Sequence, residues 1–339
     1  MKIIRVEDAV GTILAHDLTK IVPGEFKGAA FKKGHVVRPE DVEELKRMGK
    51  NNINVLEMGP EDIHEDEAAV RIAEAAAGEG IYMEGPSEGK ISIKAAFKGL
   101  LKINTEALEA INDIDMVIFS TLQSNTMVNK GKHVAGTRII PLSIDKSSIE
   151  AVEDICSRMG RVVWLKELAS LKTGVIVTGT EVYEGRIKDK FGPVLVNKLL
   201  DYGCVQNGLA YTPDDKAKIS EAIEEQLKAG AELVLVSGGM SVDADDVTPS
   251  AIREACDRII TYGAPVLPGA MFMLGYRGDI PILGIPACGM YHKITVFDLV
   301  LPRILAGEPL TRKDITSMGH GGLCQNCESC RYPNCTFGR

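Results

Sequence analysis

Two runs of aliphatic residues, each ending in a glycine-bearing loop, constrain this chain more than any other feature. Val175-Ile176-Val177 leads into Thr178-Gly179-Thr180-Glu181, and Leu233-Val234-Leu235-Val236 into Ser237-Gly238-Gly239-Met240-Ser241-Val242-Asp243-Ala244-Asp245-Asp246. Aliphatic runs without polar alternation read as strands buried on both faces, the condition of a parallel sheet covered by helices. Ligands of such sheets bind beyond the carboxyl ends of the strands, so both loops are expected at one crevice. The G-x-G-x-x-G spacing is missing, and no glycine is followed at P-loop distance by Lys-Ser or Lys-Thr; neither a hydride-cofactor nor a P-loop signature is therefore present.

The flanking pattern agrees with that sheet. Strand 174–178, helix 193–202, strand 205–211, helix 215–229, strand 232–237 and helix 249–256 alternate, with Ile219, Ala222, Ile223 and Leu227 forming an apolar helical stripe. Two short strands, 271–276 and 280–283, read as a hairpin around Arg277-Gly278-Asp279, and a last helix runs over 291–305. The fold class is therefore α/β: a three-layer αβα domain over 171–310 with a mostly parallel sheet. Residues 1–170 form a mixed α+β accessory region, one or two small domains, and 311–339 a Cys-rich tail. Within the accessory region the pattern predicts helices at 39–49, 65–77, 104–111 and 147–159, and strands at 53–56, 90–97 and 162–165. It also predicts a turn at 85–89, strand-turn-strand over 131–142, and a solvated acidic helix start from Glu61 to Glu67.

Composition narrows the partners. With 339 residues, 45% hydrophobic and 25% charged, and a formal net charge of −8, the chain has the make-up of a soluble globular protein. No basic cluster is dense enough to neutralise a run of phosphates, which argues against nucleic acid. No apolar run approaches the roughly 20 residues that span a bilayer, and the charged opening Met1-Lys2-Ile3-Ile4-Arg5 is unlike a signal peptide, so a cytoplasmic protein without a membrane partner is expected. Cys156, Cys204, Cys256 and Cys288 are scattered singly and read as free thiols; His16, His64, His133 and His292 are isolated and lack a ligand partner four residues on.

At the loops, Gly179, Gly238 and Gly239 let backbone approach a ligand closely, and successive amides in such turns form concavities for oxyanions. Thr178, Thr180, Ser237 and Ser241 add hydroxyls. Glu181, Asp189, Asp243, Asp245 and Asp246 add carboxylates, a combination suited to a divalent cation bridging protein and substrate phosphate, with Asp246 the first choice. The plainer alternative is that the glycines serve turns and that Asp245 or Asp246 caps the helix containing Pro249.

Taken in order, the T-G-x-E loop (Thr178 to Glu181), the S-G-G-x-S-V loop (Ser237 to Val242), the turn Pro268-Gly269 and Ile285-Pro286-Ala287 resemble the molybdopterin-binding family of molybdenum-cofactor biosynthesis. The likeness is to its molybdopterin molybdotransferases, which include the gephyrin E domain, and is clearest over about 172–309. It implies that molybdopterin or adenylyl-molybdopterin binds across these loops, at Thr178, Gly179, Thr180, Ser237, Gly238, Gly239, Met240, Ser241, Asp243, Asp245, Pro268, Gly269, Pro286 and Ala287. It further implies that Glu181, Asp189 and Asp246 hold Mg²⁺ while molybdate is transferred to the dithiolene, and that the protein is a homodimer. Departures point elsewhere: Thr180 replaces an Asp of the family, and Leu267-Pro268-Gly269-Ala270-Met271 lacks two lysines of its Lys-Pro-Gly-Lys-Pro loop. A non-catalytic carrier or sensor, meeting a molybdoenzyme or another cofactor-assembly protein, is the competing reading, and a nucleotide-type hydrolase on the same sheet is a third.

Cys324, Cys327, Cys330 and Cys335 place four thiols within twelve residues. The spacing predicts a metal centre, either Zn²⁺ or an iron–sulfur cluster; the final gap and the absence of Pro after Cys335 depart from the bacterial ferredoxin pattern.

Overall fold

The computed structural model describes residues 2–22, 26–55 and 60–338. The chain forms two compact units: residues 1–124 with 128–165, and residues 125–127 with 166–339. No helix among the described residues is long and apolar enough to cross a membrane.

The N-terminal unit contains two separate cores. One gathers Val6, Leu14, Phe31, Leu45 and Ile53 around the antiparallel pairs Lys2–Arg5 with Asn52–Val55 and Leu18–Val22 with Phe26–Phe31. Leu56, the expected last residue of its strand, lies outside the described residues. The other core packs helices Glu65–Ala76, Thr105–Asn112 and Lys146–Met159 against an antiparallel sheet of Ile81–Ser87, Lys90–Ala95, His133–Ile139 and Val117–Thr121.

Three local expectations for this unit are corrected. Residues 131–142 hold one continuous strand rather than strand-turn-strand, because Gly136 pairs with Ser92 on one side and Ser120 on the other; two ladders outweigh the turn preference of a glycine. Gly85, Pro86 and Ser87 extend a strand, and the reversal falls on Glu88 and Gly89, both at positive φ, 52° and 67°. Glu65 is not solvated: it is 3% exposed, in space left by the missing Cβ of Gly89, and burial raises its carboxyl above the usual range.

The C-terminal unit is built on one six-stranded sheet. Its strands are β1 (Lys172–Thr178), β2 (Val205–Thr212), β3 (Leu233–Ser237), β4 (Arg258–Tyr262), β5 (Met273–Arg277) and β6 (Ile280–Ile285), in the order β2-β1-β3-β6-β5-β4. The first four strands in that order are parallel; β5 runs antiparallel to β6, and β4 antiparallel to β5, so that β4 points the same way as the first four. Alternate residues of the same strands enter two cores. Val175, Val177, Leu233, Leu235 and Leu283 pack against helices α1 (Phe191–Asp201), α4 (Val296–Leu305) and α5 (Arg312–Ser317). Ile176, Val234, Val236 and Ile282 pack against α2 (Lys216–Lys228) and α3 (Thr248–Ala255). This is the three-layer αβα arrangement expected of aliphatic strands.

Strand β4 and helix α5 were not anticipated, and α4 starts at Val296 rather than 291. Its start is set by a capping box, Thr295 accepting from the Phe297 amide while the Asp298 carboxylate accepts from the Thr295 amide. Residues 287–290 form instead a short 3-10 turn.

Candidate functional site

The carboxyl ends of four parallel strands finish level with one another. Thr178 pairs with Thr212, Val177 with Ser237, and Ser237 with Ile285, so the four following loops leave the same edge. Tyr262, at the end of β4, and Met273, at the start of β5, meet at that edge as well, Tyr262 opposite Met273 and Met273 opposite Gly284. The loops singled out in the sequence are thus brought together by strand register.

Two of them touch through backbone. Gly238, at φ 98°, faces Thr178 so closely that a Cβ would overlap its carbonyl oxygen and lie 2.6 Å from its Oγ1. Gly239, at φ 54°, leaves a Cβ position 2.9 Å from Thr248 Oγ1 and 3.6 Å from Asp214 Oδ1. Only glycine tolerates both the left-handed backbone and this crowding. The Thr178 and Thr248 hydroxyls are 3.3 Å apart, whereas the buried hydroxyls of Ser237 and Thr212 have no hydrogen-bond partner among the described residues.

Asp214 was missed. It follows β2 and reaches the first loop, where its Oδ2 accepts from the Thr180 amide at 2.9 Å and from the Thr180 hydroxyl at 3.2 Å. The Asp214 amide in turn donates to Thr180 Oγ1 at 3.2 Å. A signal existed: Pro213-Asp214-Asp215 follows a strand of the same sheet just as the glycine loops do, but the reading began a helix at Asp215, which is its cap, and passed over Asp214.

The proposed acids fare differently. Asp189 caps α1: its carboxylate accepts from the amides of Phe191 at 2.7 Å and Gly192 at 3.1 Å, and from the Tyr211 hydroxyl at 3.2 Å. Burial, with the Asp189 charge adding, raises the Tyr211 hydroxyl. Asp246 closes its own loop by accepting from the Asp243 amide at 3.1 Å; it does not cap α3, whose first flanking residue is Val247. Glu181, Asp243 and Asp245 are exposed, with carboxylates that make no hydrogen bond or ion pair among the described residues. Of the carboxylates at this edge, these three are the ones no protein group engages among the described residues, and so the ones open to a cation. Met240 is a core residue, 4% exposed, with its thioether against Gly284, while its carbonyl accepts from the Tyr262 hydroxyl at 2.9 Å. The same hydroxyl donates to the Ser241 carbonyl at 3.2 Å, so Tyr262 fixes the second loop from β4. Burial raises this tyrosine, with Arg253 opposing and Asp246 adding.

The turn at Pro268-Gly269 serves helix α4: Pro268 accepts from the Val296 amide at 3.3 Å, and Gly269, at φ 129°, leaves a Cβ position 2.6 Å from Val296 Cγ1. Pro286 and Ala287 open the 3-10 turn, which packs Gly289 against Phe191 at the start of α1. Behind both, Lys198 of α1 donates to Asp298 Oδ1 at 2.7 Å and to the Lys293 carbonyl at 2.6 Å. Burial raises the Asp298 carboxyl, and Lys198 opposes that rise.

Four scattered cysteines are free; burial raises the thiols of Cys156, Cys204 and Cys288, and that of Cys256 up to about 12 with Asp257 adding. Among the described residues no group of three or more His, Cys, Asp or Glu side chains is gathered to hold a metal ion. Cys324, Cys327, Cys330 and Cys335 therefore do not meet at a point; they line one cavity of ≈ 360 Å³.

Residues 174–308, which span the whole edge just described, match the model of the family described as "Probable molybdopterin binding domain". This segment belongs to that family. Residues 3–57 match a family described as a domain of unknown function, DUF8806. Among curated proteins, the CinA-like proteins of Mycobacterium leprae and Mycolicibacterium vanbaalenii are each 34% identical to this chain, over 91 and 97 residues. These matches cover 27% and 29% of this chain and 21% and 23% of those proteins, so the chain spans less than a quarter of their length. Among solved structures, the molybdopterin biosynthesis enzyme MoaB of Thermus thermophilus is similar at 21% identity and a TM-score of 0.35, covering 41% of this chain and 98% of that one. The tungsten cofactor synthesizing protein MoaB of Pyrococcus furiosus is similar at the same identity and TM-score, covering 41% and 96%.

Proposed function

We propose that the molybdopterin-binding-family domain of this chain binds molybdopterin or its adenylyl form at the level edge of β2, β1, β3 and β6, as a step in molybdenum-cofactor assembly. The observation that carries the reading is the close approach of Gly238 to Thr178 within a segment matching the family. It joins two loops into one backbone surface whose amides suit a phosphate or pyrophosphate. Transfer of molybdate with Mg²⁺ assistance extends this reading, with Glu181, Asp243 and Asp245 as the carboxylates open to the cation.

A carrier or sensor that holds the pterin without turnover is favoured by a specific observation. Asp189 and Asp246, two of the three acids the resemblance assigns to the cation, are already engaged by backbone amides. Incubating the anaerobically purified chain with adenylyl-molybdopterin, Mg²⁺ and molybdate, while measuring bound pterin and released AMP, separates the two. Molybdate-dependent AMP release supports insertion, bound pterin without AMP supports the carrier, and absence of bound pterin rejects both.

A further inference from the structure

The four tail cysteines sit on a closed loop that has no helix or strand of its own after Cys324. Its ends are tied together, the Gly338 amide donating to the Gly321 carbonyl at 2.9 Å. Inside the loop, Gln325 Nε2 donates to Thr336 Oγ1 at 3.3 Å, so the neighbours of Cys324 and Cys335 are within hydrogen-bond reach. Asn326, at φ 50°, turns the chain between Cys324 and Cys327, and the Asn334 amide donates to the Arg331 carbonyl at 2.7 Å between Cys330 and Cys335. The first and last gaps between thiols thus carry a turn or a cross-link, the middle one bends at Glu328 and Ser329, and all four residues border the same cavity. Phe337 is the loop's one buried side chain, joined on the same core by the half-buried Cys324, Tyr332 and Cys335, a small apolar surface for ordering a segment of this length.

The loop is also fastened to the edge described above. Leu267 and Leu323 form a parallel bridge, in which the Leu267 amide donates to the Gly322 carbonyl at 2.7 Å and the Cys324 amide donates to the Leu267 carbonyl at 2.8 Å. Leu267 directly precedes Pro268-Gly269. The cavity is also lined by residues 291–294, directly after the 3-10 turn that Pro286 opens.

We propose that Cys324, Cys327, Cys330 and Cys335 bind one thiophilic metal centre, and that this centre clamps the tail to the Leu267–Gly269 loop. Four thiolates suit a single tetrahedral Zn²⁺ or an iron–sulfur cluster, and ligation draws the sulfurs from the cavity wall to a common point. The centre orders a loop that its own core does not, and order at Cys324 passes to Leu267 through two backbone hydrogen bonds.

The test uses the full chain purified anaerobically, with zinc and iron measured by mass spectrometry. A stoichiometric amount of zinc, or of iron with visible cluster absorbance, is expected, and the two outcomes distinguish the metals. Both are lost in Cys327→Ser/Cys330→Ser, whose sites are exposed, so the core is spared. Titration of chelator-treated wild type with Co²⁺ gives an independent reading, since four thiolates produce strong sulfur-to-cobalt charge-transfer absorbance. Only trace metal, four freely titrating thiols and no such absorbance would overturn the centre. Hydrogen exchange at Leu267 and Cys324 is expected to be at least several-fold slower in the metal-loaded than in the chelated chain; equal exchange would overturn the clamp.

Discussion

Asp214 holds Thr180 by both its amide and its hydroxyl, joining the loop after β1 to the loop after β2. Asp214→Ala leaves the Thr180 amide without its acceptor, a loss of about 1–3 kcal/mol if no water replaces it. Asp214→Asn keeps an acceptor oxygen and should lose less. Urea unfolding of both variants checks the order, and equal losses would assign the effect to charge alone.

Gly238→Ala and Gly230→Ala form a matched pair. Both glycines have positive φ, 98° and 88°, but a Cβ on Gly230 meets nothing within 4 Å whereas one on Gly238 overlaps Thr178. Left-handed strain alone costs about 1–2 kcal/mol, the expected loss for Gly230→Ala. Gly238→Ala should exceed it and also weaken pterin binding, which calorimetry and anaerobic binding measure together. Equal melting temperatures would remove the close approach from the account.

Much of this unit could be read from residue order, for reasons these loops illustrate. Val175 to Val177 and Leu233 to Val236 are apolar on both faces, and only a covered parallel sheet accommodates that. Strand β4, Arg258-Ile259-Ile260-Thr261-Tyr262, escaped because it is an edge strand whose first two residues, one of them charged, are exposed, and because residues 263–272 separate it from its partner β5 without a tight hairpin turn. The role of Asp214 depends on the distance between two loops, and the capping role of Asp189 and the loop-closing role of Asp246 on local turn geometry. None of these is a property of residue type, which is why a carboxylate near a glycine loop reads as a cation ligand until its amide partners are seen.

Lys198→Met tests the buried pair behind the site. Asp298 is 2% exposed, and removing its partner leaves a buried charge, a loss of about 3–5 kcal/mol near neutral pH. Burial already raises this carboxyl, and loss of Lys198 raises it further. A carboxyl raised on folding favours the folded state below its unfolded pKa and loses that contribution as pH rises. The deficit of the variant against wild type should therefore shrink as the pH is lowered toward about 4 and grow toward neutrality. A pH-independent deficit would contradict this.

Asp314 predicts the opposite slope. Burial alone would raise it, but hydrogen bonds from Thr311 and Arg303 hold its carboxyl down at about 2. A carboxyl lowered on folding stabilises above its unfolded value, and that contribution disappears as pH falls from about 4 toward 2. Asp314→Asn should thus be less stable than wild type at pH 6, with the difference closing in acid, as urea midpoints at both pH values will show.

The proposed pterin site joins two separate loops. Amide hydrogen exchange of the full chain, with and without molybdopterin under anaerobic conditions, reads both at once. The amides of 179–182 and 238–243 should become protected together at the same ligand concentration. Protection of one loop without the other, or of neither while pterin binds elsewhere, would contradict a joined site.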